Sequence, residues 1–256
     1  MPRYRSVVAP PSHCPQCGTR LAVVDLIPIL SFLFLGRKCR RCGGLISWRY
    51  ALVELLTGLT FVLVWAARTP EAPWWALLPL WIFSAVVIAV IFTDLDHMII
   101  PDQLVLAGIG AAVISEAILV LTGRQHLLSV HVPGTGLALP RVVAGGVLGL
   151  VVFIVLRGFS QVLFRREGMG LGDVKLAGAI GAMLGPGLAL LSFGVAVVVG
   201  AILGALLLVV RLRRRMEYLP FGPFMAIAAL AVLLYPQALL GSAESVWQWY
   251  LGLFMS

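Results

Sequence analysis

Two short acidic motifs stand at the edges of strongly apolar segments and contain the side chains best suited to chemistry. The first is TDLDHMIIPD at residues 93–102, and the second is GMGLGDVK at residues 168–175. A carboxylate at the centre of a membrane helix costs about 2.5–3.5 kcal/mol on insertion scales, so such residues usually serve a function. Two carboxylates on separate helices that meet at one site can share a proton and hydrolyse a peptide bond by acid–base catalysis.

Within the first motif, depth in the apolar segment favours Asp94 as the reactive carboxylate. This residue directly follows the run AVIFT at residues 89–93. Asp96 comes two residues later, so on a helix it points about 200° away from Asp94 and cannot face the same partner. Pro101 is expected to break the helix, which would place Asp102 near the start of the next helix, where an aspartate commonly acts as a cap.

In the second motif, Asp173 stands where the chain enters the next apolar segment. Gly170 and Gly172 are expected to let the backbone approach a neighbouring element or an extended peptide closely. In the catalytic interpretation, one aspartate is ionised and activates water, and the other is protonated and polarises the scissile carbonyl. A structural alternative stays open, since Asp94 or Asp173 could instead cap a helix or pair with Lys175 or an arginine.

All four cysteines belong to two CxxC pairs, which are Cys14 with Cys17 and Cys39 with Cys42. The pairs are separated by 21 residues, an arrangement typical of zinc ribbons, in which four thiolates close a tetrahedral site. A four-thiolate site has no open coordination position, so the zinc is expected to be structural. A redox-active CxxC is the alternative, although two matched pairs in one short segment favour a metal.

Composition predicts that most of the chain lies in a membrane. The 256 residues are 61% hydrophobic and 12% charged, whereas soluble domains have about 25% charged residues. The apolar runs are continuous and do not alternate as barrel strands do. The sequence therefore predicts an all-α polytopic membrane protein with about seven transmembrane helices. The predicted spans are 51–67, 74–93, 103–121, 142–163, 173–185, 187–210 and 220–241.

The same pattern predicts three regions. Residues 1–50 form a basic cysteine module, residues 51–241 form the membrane body, and residues 242–256 form a tail whose aromatic rings favour the membrane interface.

The net charge is +8, and 16 of the 19 lysines and arginines fall on one side of the seven predicted spans. This positive-inside distribution predicts a cytoplasmic N-terminus, with both acidic motifs on the cytoplasmic side. It also favours anionic membrane lipids, and not nucleic acid, as the partner of the basic surface.

Taken together, these segments resemble the type IV prepilin peptidases, which are membrane aspartyl proteases of the GxGD type. The resemblance extends over nearly the whole chain, and the combination of segments is what makes it specific. The segments are the paired CxxC knuckles, RYALVEL at residues 49–55, DLDH at 94–97 with IPD at 100–102, EGMGLGDVK at 167–175 and PFGPF at 220–224.

The resemblance implies an enzyme of the bacterial inner membrane that removes the basic leader of prepilin-like proteins. Cleavage is expected at the cytoplasmic face, after a glycine and before the substrate's apolar helix. The implied catalytic pair is Asp94 and Asp173. The residues expected to bind substrate are Gly170, Gly172, Asp96 and Lys175.

Two further properties follow from the resemblance. Many members also methylate the new N-terminus, so S-adenosylmethionine is an expected second cofactor beside structural zinc. Members usually have an additional membrane helix ahead of the zinc module. Here Met1 lies 13 residues before Cys14, so seven spans are expected instead of eight.

A different class of function is the alternative, namely a transporter or a non-catalytic scaffold of a secretion machine with a structural zinc module. A transporter is expected to hold its carboxylates near the bilayer midplane. In this chain Asp94 and Asp173 stand at the ends of apolar segments, which favours the protease.

Overall fold

The computed structural model describes residues 12–14, 16–68, 73–122, 129–131, 138–164, 169–209 and 220–241. These residues are mostly helical, as the composition predicted. The chain forms two compact units, Met1–Val62 and Leu63–Ser256. The predicted tail at 242–256 lies outside the described residues.

The first unit has little regular structure before its long helix. A 3-10 turn at Val23–Leu26 and the short helix α1, Leu30–Phe34, precede α2, which runs from Trp48 to Arg68 and crosses the boundary between the units. Phe32 is buried, and its ring lies 5.0 Å from that of Trp48. A module with so few buried apolar side chains requires another source of stability.

The second unit is a bundle of helices with one small hairpin. Its elements, after a 3-10 turn at Trp74–Leu77, are α3 (Leu78–His97), α4 (Asp102–Leu121), β1 (Ser129–His131), β2 (Ala138–Pro140), α5 (Arg141–Phe164), α6 (Leu171–Leu184), α7 (Pro186–Val209) and α8 (Gly222–Leu234). The two strands are antiparallel, with Val130 opposite Leu139.

Five helices of the described part of the chain are long and apolar enough to cross a membrane. They agree with five of the seven predicted spans. The predicted spans at 173–185 and 220–241 are instead represented by α6 and α8, of 14 and 13 residues. A helix of 14 residues is about 21 Å long, which is shorter than the hydrocarbon core. Helix α6 thus has the short length of the predicted span at 173–185, whereas α8 is shorter than the predicted span at 220–241.

The predicted span at 142–163 agrees with α5, which ends at Phe164. Arg157 therefore lies within the helix. Residue 157 is seven positions from the helix end, or about two turns. A long arginine side chain at that depth can extend towards the membrane surface.

Proline and glycine set several helix boundaries in the second unit. Pro101 is the N-cap of α4, Pro186 begins α7, and Pro223 lies in the first turn of α8. These positions suit proline because the first amides of a helix have no intrahelical partner. Gly185 ends α6 with a φ of +79°, which other residues rarely adopt.

Helix α6 is the centre of the bundle, where α4, α5, α7 and α8 all pack against it. Its contact with α5 is very close, because small residues face each other. A Cβ added to Gly145 would collide with the backbone of Gly181, and one added to Gly149 would collide with the backbone of Ala177. Small residues at four-residue spacing, such as Gly145 and Gly149, allow such an approach in lipid.

Candidate active site

Asp94 lies in the last turn of α3, and its residue is only 5% exposed. The helix continues to His97 and ends at Met98, whose φ is 52° and whose N–H donates to the Asp94 carbonyl at 2.8 Å. Within the described part of the chain, Oδ2 of Asp94 is buried and has no hydrogen-bond partner. A buried carboxylate oxygen without a partner is costly and commonly marks a functional group.

Asp173 lies in the first turn of α6, and Gly170 is the N-cap of that helix. The aspartate is partly buried. A carboxylate is favoured here because the unpaired amides at a helix N-terminus carry partial positive charge. The fold thus places one aspartate at a helix C-terminus and the other at a helix N-terminus.

Both carboxylates line one cavity of about 640 Å³. The volume lies within the range of about 300–1,000 Å³ that is usual for ligand sites. The lining residues are Asp94, Met98, Ile99, Ile100, Asp102, Met169, Gly170, Leu171, Gly172, Asp173, Lys175, Pro220 and Phe221. The structure therefore brings together the two aspartates that the sequence selected, from helices that are distant in the chain.

Gly222 is a site residue that was not predicted from the sequence. It begins α8, and a Cβ added to it would collide with Oδ2 of Asp94 and approach Cδ1 of Ile100 to 3.3 Å. The sequence did contain an indication of this role, because Gly222 is the glycine of the PFGPF segment. Residue spacing alone, however, could not show that this segment packs against Asp94.

The two glycines of the second motif have different surroundings. A Cβ on Gly170 would meet nothing closer than Oδ2 of Asp173, at 3.8 Å. A Cβ on Gly172 would come within 3.1 Å of the Cβ of Ile100. The space beside Gly172 is therefore filled by Ile100, a side chain of the loop that connects α3 to α4.

The other charged residues of the two motifs are more exposed than Asp94. Asp96 is exposed and does not line the cavity, as its opposite helical direction predicted. Lys175 donates to Asp102 at 2.6 Å, with side chains 48% and 67% exposed. Asp102 is the first residue of α4, whose N-cap is Pro101 without a side-chain cap. The expectation that Asp102 caps this helix was wrong, and its partner is Lys175.

The four cysteines form a second site in the first unit. Their Sγ atoms all lie within 4.8 Å of one another, and those of Cys14 and Cys42 are 3.9 Å apart. Tetrahedral zinc with Zn–S bonds of about 2.3 Å requires sulfur atoms about 3.8 Å apart. The cluster could therefore hold a zinc ion.

The two CxxC turns have the same backbone pattern. In each, the amide of the following glycine donates to the first cysteine's carbonyl at 2.9 Å, and that glycine has a φ near 70°. Hydrogen bonding to Thr19 lowers the pKa of Cys17 to about 6. The backbone amides of Cys42 and Arg41 lower the pKa of Cys39. These two shifts favour thiolates, the form that binds metal. In Cys42 the Gly44 amide acts to lower the pKa, but burial and the neighbouring thiols raise it to about 11.

Comparison with known proteins assigns the family. The bacterial peptidase A24 N-terminal domain matches residues 1–68, and the type IV leader peptidase family matches residues 81–205. The prepilin leader peptidase/N-methyltransferase of Aeromonas salmonicida (strain A449) is 37% identical over 97% of this chain and 77% of its own length. The chain belongs to the type IV leader peptidase family.

Two other members of the family have similar coverage. The type 4 prepilin-like proteins leader peptide-processing enzyme of Escherichia coli O78:H11 is 36% identical over 91% of this chain and 78% of its own. The prepilin leader peptidase/N-methyltransferase of Bacillus subtilis (strain 168) is 30% identical over 94% of this chain and 88% of its own. No solved structure matches the chain.

Proposed function

We propose that this chain is a membrane aspartyl endopeptidase that removes the basic leader of type IV prepilin-like proteins, with Asp94 and Asp173 as the catalytic pair. The observation that carries the proposal is the single cavity lined by both carboxylates. Membership of a peptidase family supports the reaction class. The names of the relatives support prepilin leaders as substrates.

The chemistry follows from two carboxylates that cannot both be ionised at close range. The ionised member takes a proton from a water molecule, which attacks the scissile carbonyl carbon. The protonated member donates a hydrogen bond to the carbonyl oxygen and supplies the proton that the developing oxyanion needs. As the carbon–nitrogen bond of the tetrahedral diol breaks, the protonated member gives its proton to the leaving amine and the other member takes back a proton from a diol hydroxyl. One proton is then again shared between the two groups.

The same arrangement argues against a transporter or a non-catalytic scaffold. Asp94 and Asp173 lie in a terminal turn of their helices, whereas transporter sites lie near the bilayer midplane. In a non-catalytic scaffold, a buried carboxylate oxygen without a hydrogen-bond partner would cost stability and serve no reaction.

The proposed location is the bacterial inner membrane, with the N-terminus and the catalytic pair on the cytoplasmic side. The asymmetric distribution of lysine and arginine supports this orientation. Single cysteines introduced at Val130 and Ser160 should react with membrane-impermeant reagents from opposite sides. Reaction of both positions from one side would contradict the orientation.

The proposed role of zinc is structural, with Cys14, Cys17, Cys39 and Cys42 as ligands. Four cysteines would occupy all four coordination positions of a tetrahedral zinc ion, so none would be left for substrate or water. The ion would connect two turns that are separated in sequence, in a unit with few buried apolar side chains. Zinc would therefore stabilise this unit without taking part in hydrolysis.

A second proposed activity is methylation of the newly exposed amine, with S-adenosylmethionine as the methyl donor. It rests on the relatives named as N-methyltransferases. S-adenosylmethionine would supply the methyl group, and the newly exposed amine of the substrate would accept it. Transfer of a labelled methyl group to cleaved substrate would test it, with uncleaved substrate as the control.

The proposed peptidase activity can be tested by leader cleavage in reconstituted membranes. Asp94→Asn and Asp173→Asn should each reduce kcat by about 100-fold or more, because each removes one half of an acid–base pair. Asp96→Asn is the matched control, since Asp96 is exposed on the same helix and should cost much less activity. Full activity of either catalytic-pair variant would exclude that residue from the mechanism.

A further inference from the structure

A second cavity adjoins the candidate active site, and the two share the ion-paired residues Asp102 and Lys175. Its volume is about 440 Å³. Apart from that ion pair, all its lining residues are apolar. They include Leu106, Ile109, Val143, Leu150, Gly178 and Ala182.

The helix packing explains why this groove is open. Helices α4 and α5 both pack against α6 but make few contacts with each other. Gly178 and Ala182 of α6 have no large side chain that could fill the space between them. From Lys175 to Ala182 the groove follows α6 for seven residues, which is about 10 Å or two helical turns.

We propose that this groove binds the apolar helical segment that follows the scissile bond of the substrate, while the bond itself lies between Asp94 and Asp173. The inference rests on the proposed peptidase function. A chain cut directly before an apolar helix changes from polar to apolar at the cut. The two adjoining cavities show the same change from polar to apolar. The first is lined by the two carboxylates, the Asp102–Lys175 pair lies where the cavities meet, and the second is an apolar groove.

The dimensions of the groove fit a helix that is anchored by a few side chains. A volume of about 440 Å³ is at the smaller end of ligand sites and cannot enclose a whole helix. An amphipathic or apolar helix commonly binds through residues at i, i+3 or i+4, and i+7, which span two turns. The groove has this length, so it would bind the first two turns after the cut and leave the rest of the helix in lipid.

The proposal predicts that changes in the groove lower kcat/KM only for substrates that have the apolar segment. Two substrates separate the effects: a full prepilin, and a short peptide with the leader and only a few residues after the cut. Val143→Trp would fill the groove at the end away from the carboxylates. We expect it to lower the ratio of kcat/KM for the long substrate to that for the short one about tenfold, as losing a helix anchor would.

Val151→Trp is the matched control. Val143 and Val151 are both valines of α5, 46% and 50% exposed, and Val151 lines neither cavity. This control should retain the wild-type ratio. An unchanged ratio in Val143→Trp, or an equal fall in both variants, would overturn the groove proposal. Failure of the wild-type protein to cleave either substrate would instead refute the peptidase function.

Photo-crosslinking gives a second measurement that does not depend on turnover. A photoreactive residue at Leu106, which is 67% exposed, should crosslink to the apolar segment of a full prepilin in the Asp94→Asn background. The same group at Val151 should crosslink to lipid. Crosslinks to lipid alone at both positions, in the presence of saturating prepilin, would identify the groove as a lipid site and contradict the proposal.

Discussion

The cysteine cluster and the carboxylate pair are both sites of a few side chains, but they are built in different ways. Each half of the cysteine cluster is a single tight turn, with both ligands within four residues. The carboxylate site needs the end of α3, the start of α6, the loop at Ile100 and the start of α8. A site made of local turns is determined by a short motif, whereas a site made of helix ends depends on the packing of the whole bundle.

This difference predicts that damage to the cysteine cluster stays local. Cys39→Ser should reduce bound zinc from about one ion per chain and unfold the first unit, because structural zinc contributes about 10–16 kcal/mol in small zinc modules. Metal analysis and hydrogen exchange over residues 12–47 measure both effects. Leu45→Ser is the control, since Leu45 is exposed and is not a ligand. If α6 lost as much hydrogen-exchange protection as residues 12–47, the effect of the cysteine cluster would not be local.

The carboxylate site should instead respond to changes on a helix that contributes no carboxylate. Gly222→Val would force the Asp94 carboxylate to move, because a Cβ at position 222 collides with its Oδ2. Leader cleavage should fall about 100-fold, as expected when a reacting group is displaced by about 1 Å. Thermal unfolding should be measured in parallel to separate this effect from loss of fold.

Gly204→Val is the matched control for that variant, because a Cβ at Gly204 would meet no atom within 4 Å. It should retain cleavage close to that of the wild-type protein. Similar activity of Gly222→Val and Gly204→Val would show that α8 does not position Asp94.

A smaller effect is expected at the loop between α3 and α4. Gly172→Val would press on Ile100, and turnover should fall roughly tenfold, which corresponds to about 1.4 kcal/mol in the activation free energy. Ile100→Ala combined with Gly172→Val should restore much of that loss, since it removes the atoms that collide. If the double variant is no better than Gly172→Val, the glycine is needed for the substrate peptide itself, as the sequence first suggested.

The smallest effect is expected from the exposed ion pair. Lys175→Met and Asp102→Asn should each change the free energy of unfolding by no more than about 1 kcal/mol, because both side chains are largely in solvent. Denaturation in low and high salt measures this, and added salt should reduce the difference between wild type and variant. A loss of several kcal/mol would mean that the pair is part of the rigid framework of the site.

The sequence by itself selected the candidate residues of both sites. The CxxC spacing identified all four candidate zinc ligands, because a tight turn brings both thiols of a pair together without help from the rest of the chain. Helical periodicity separated Asp94 from Asp96, since a two-residue step reverses the direction of a side chain. The continuous apolar runs predicted an all-α membrane protein and located the long helices within a few residues.

Only the tertiary structure decided which groups meet. The sequence counted α6 and α8 among the spans, but hydropathy did not show that their side chains are mostly covered by neighbouring helices. It gave Asp102 a capping role and Gly222 none, because the partners of these residues, Lys175 and Asp94, are far away in the chain. Contacts between distant segments depend on how helices pack, and the glycine contacts between α5 and α6 fix that packing here.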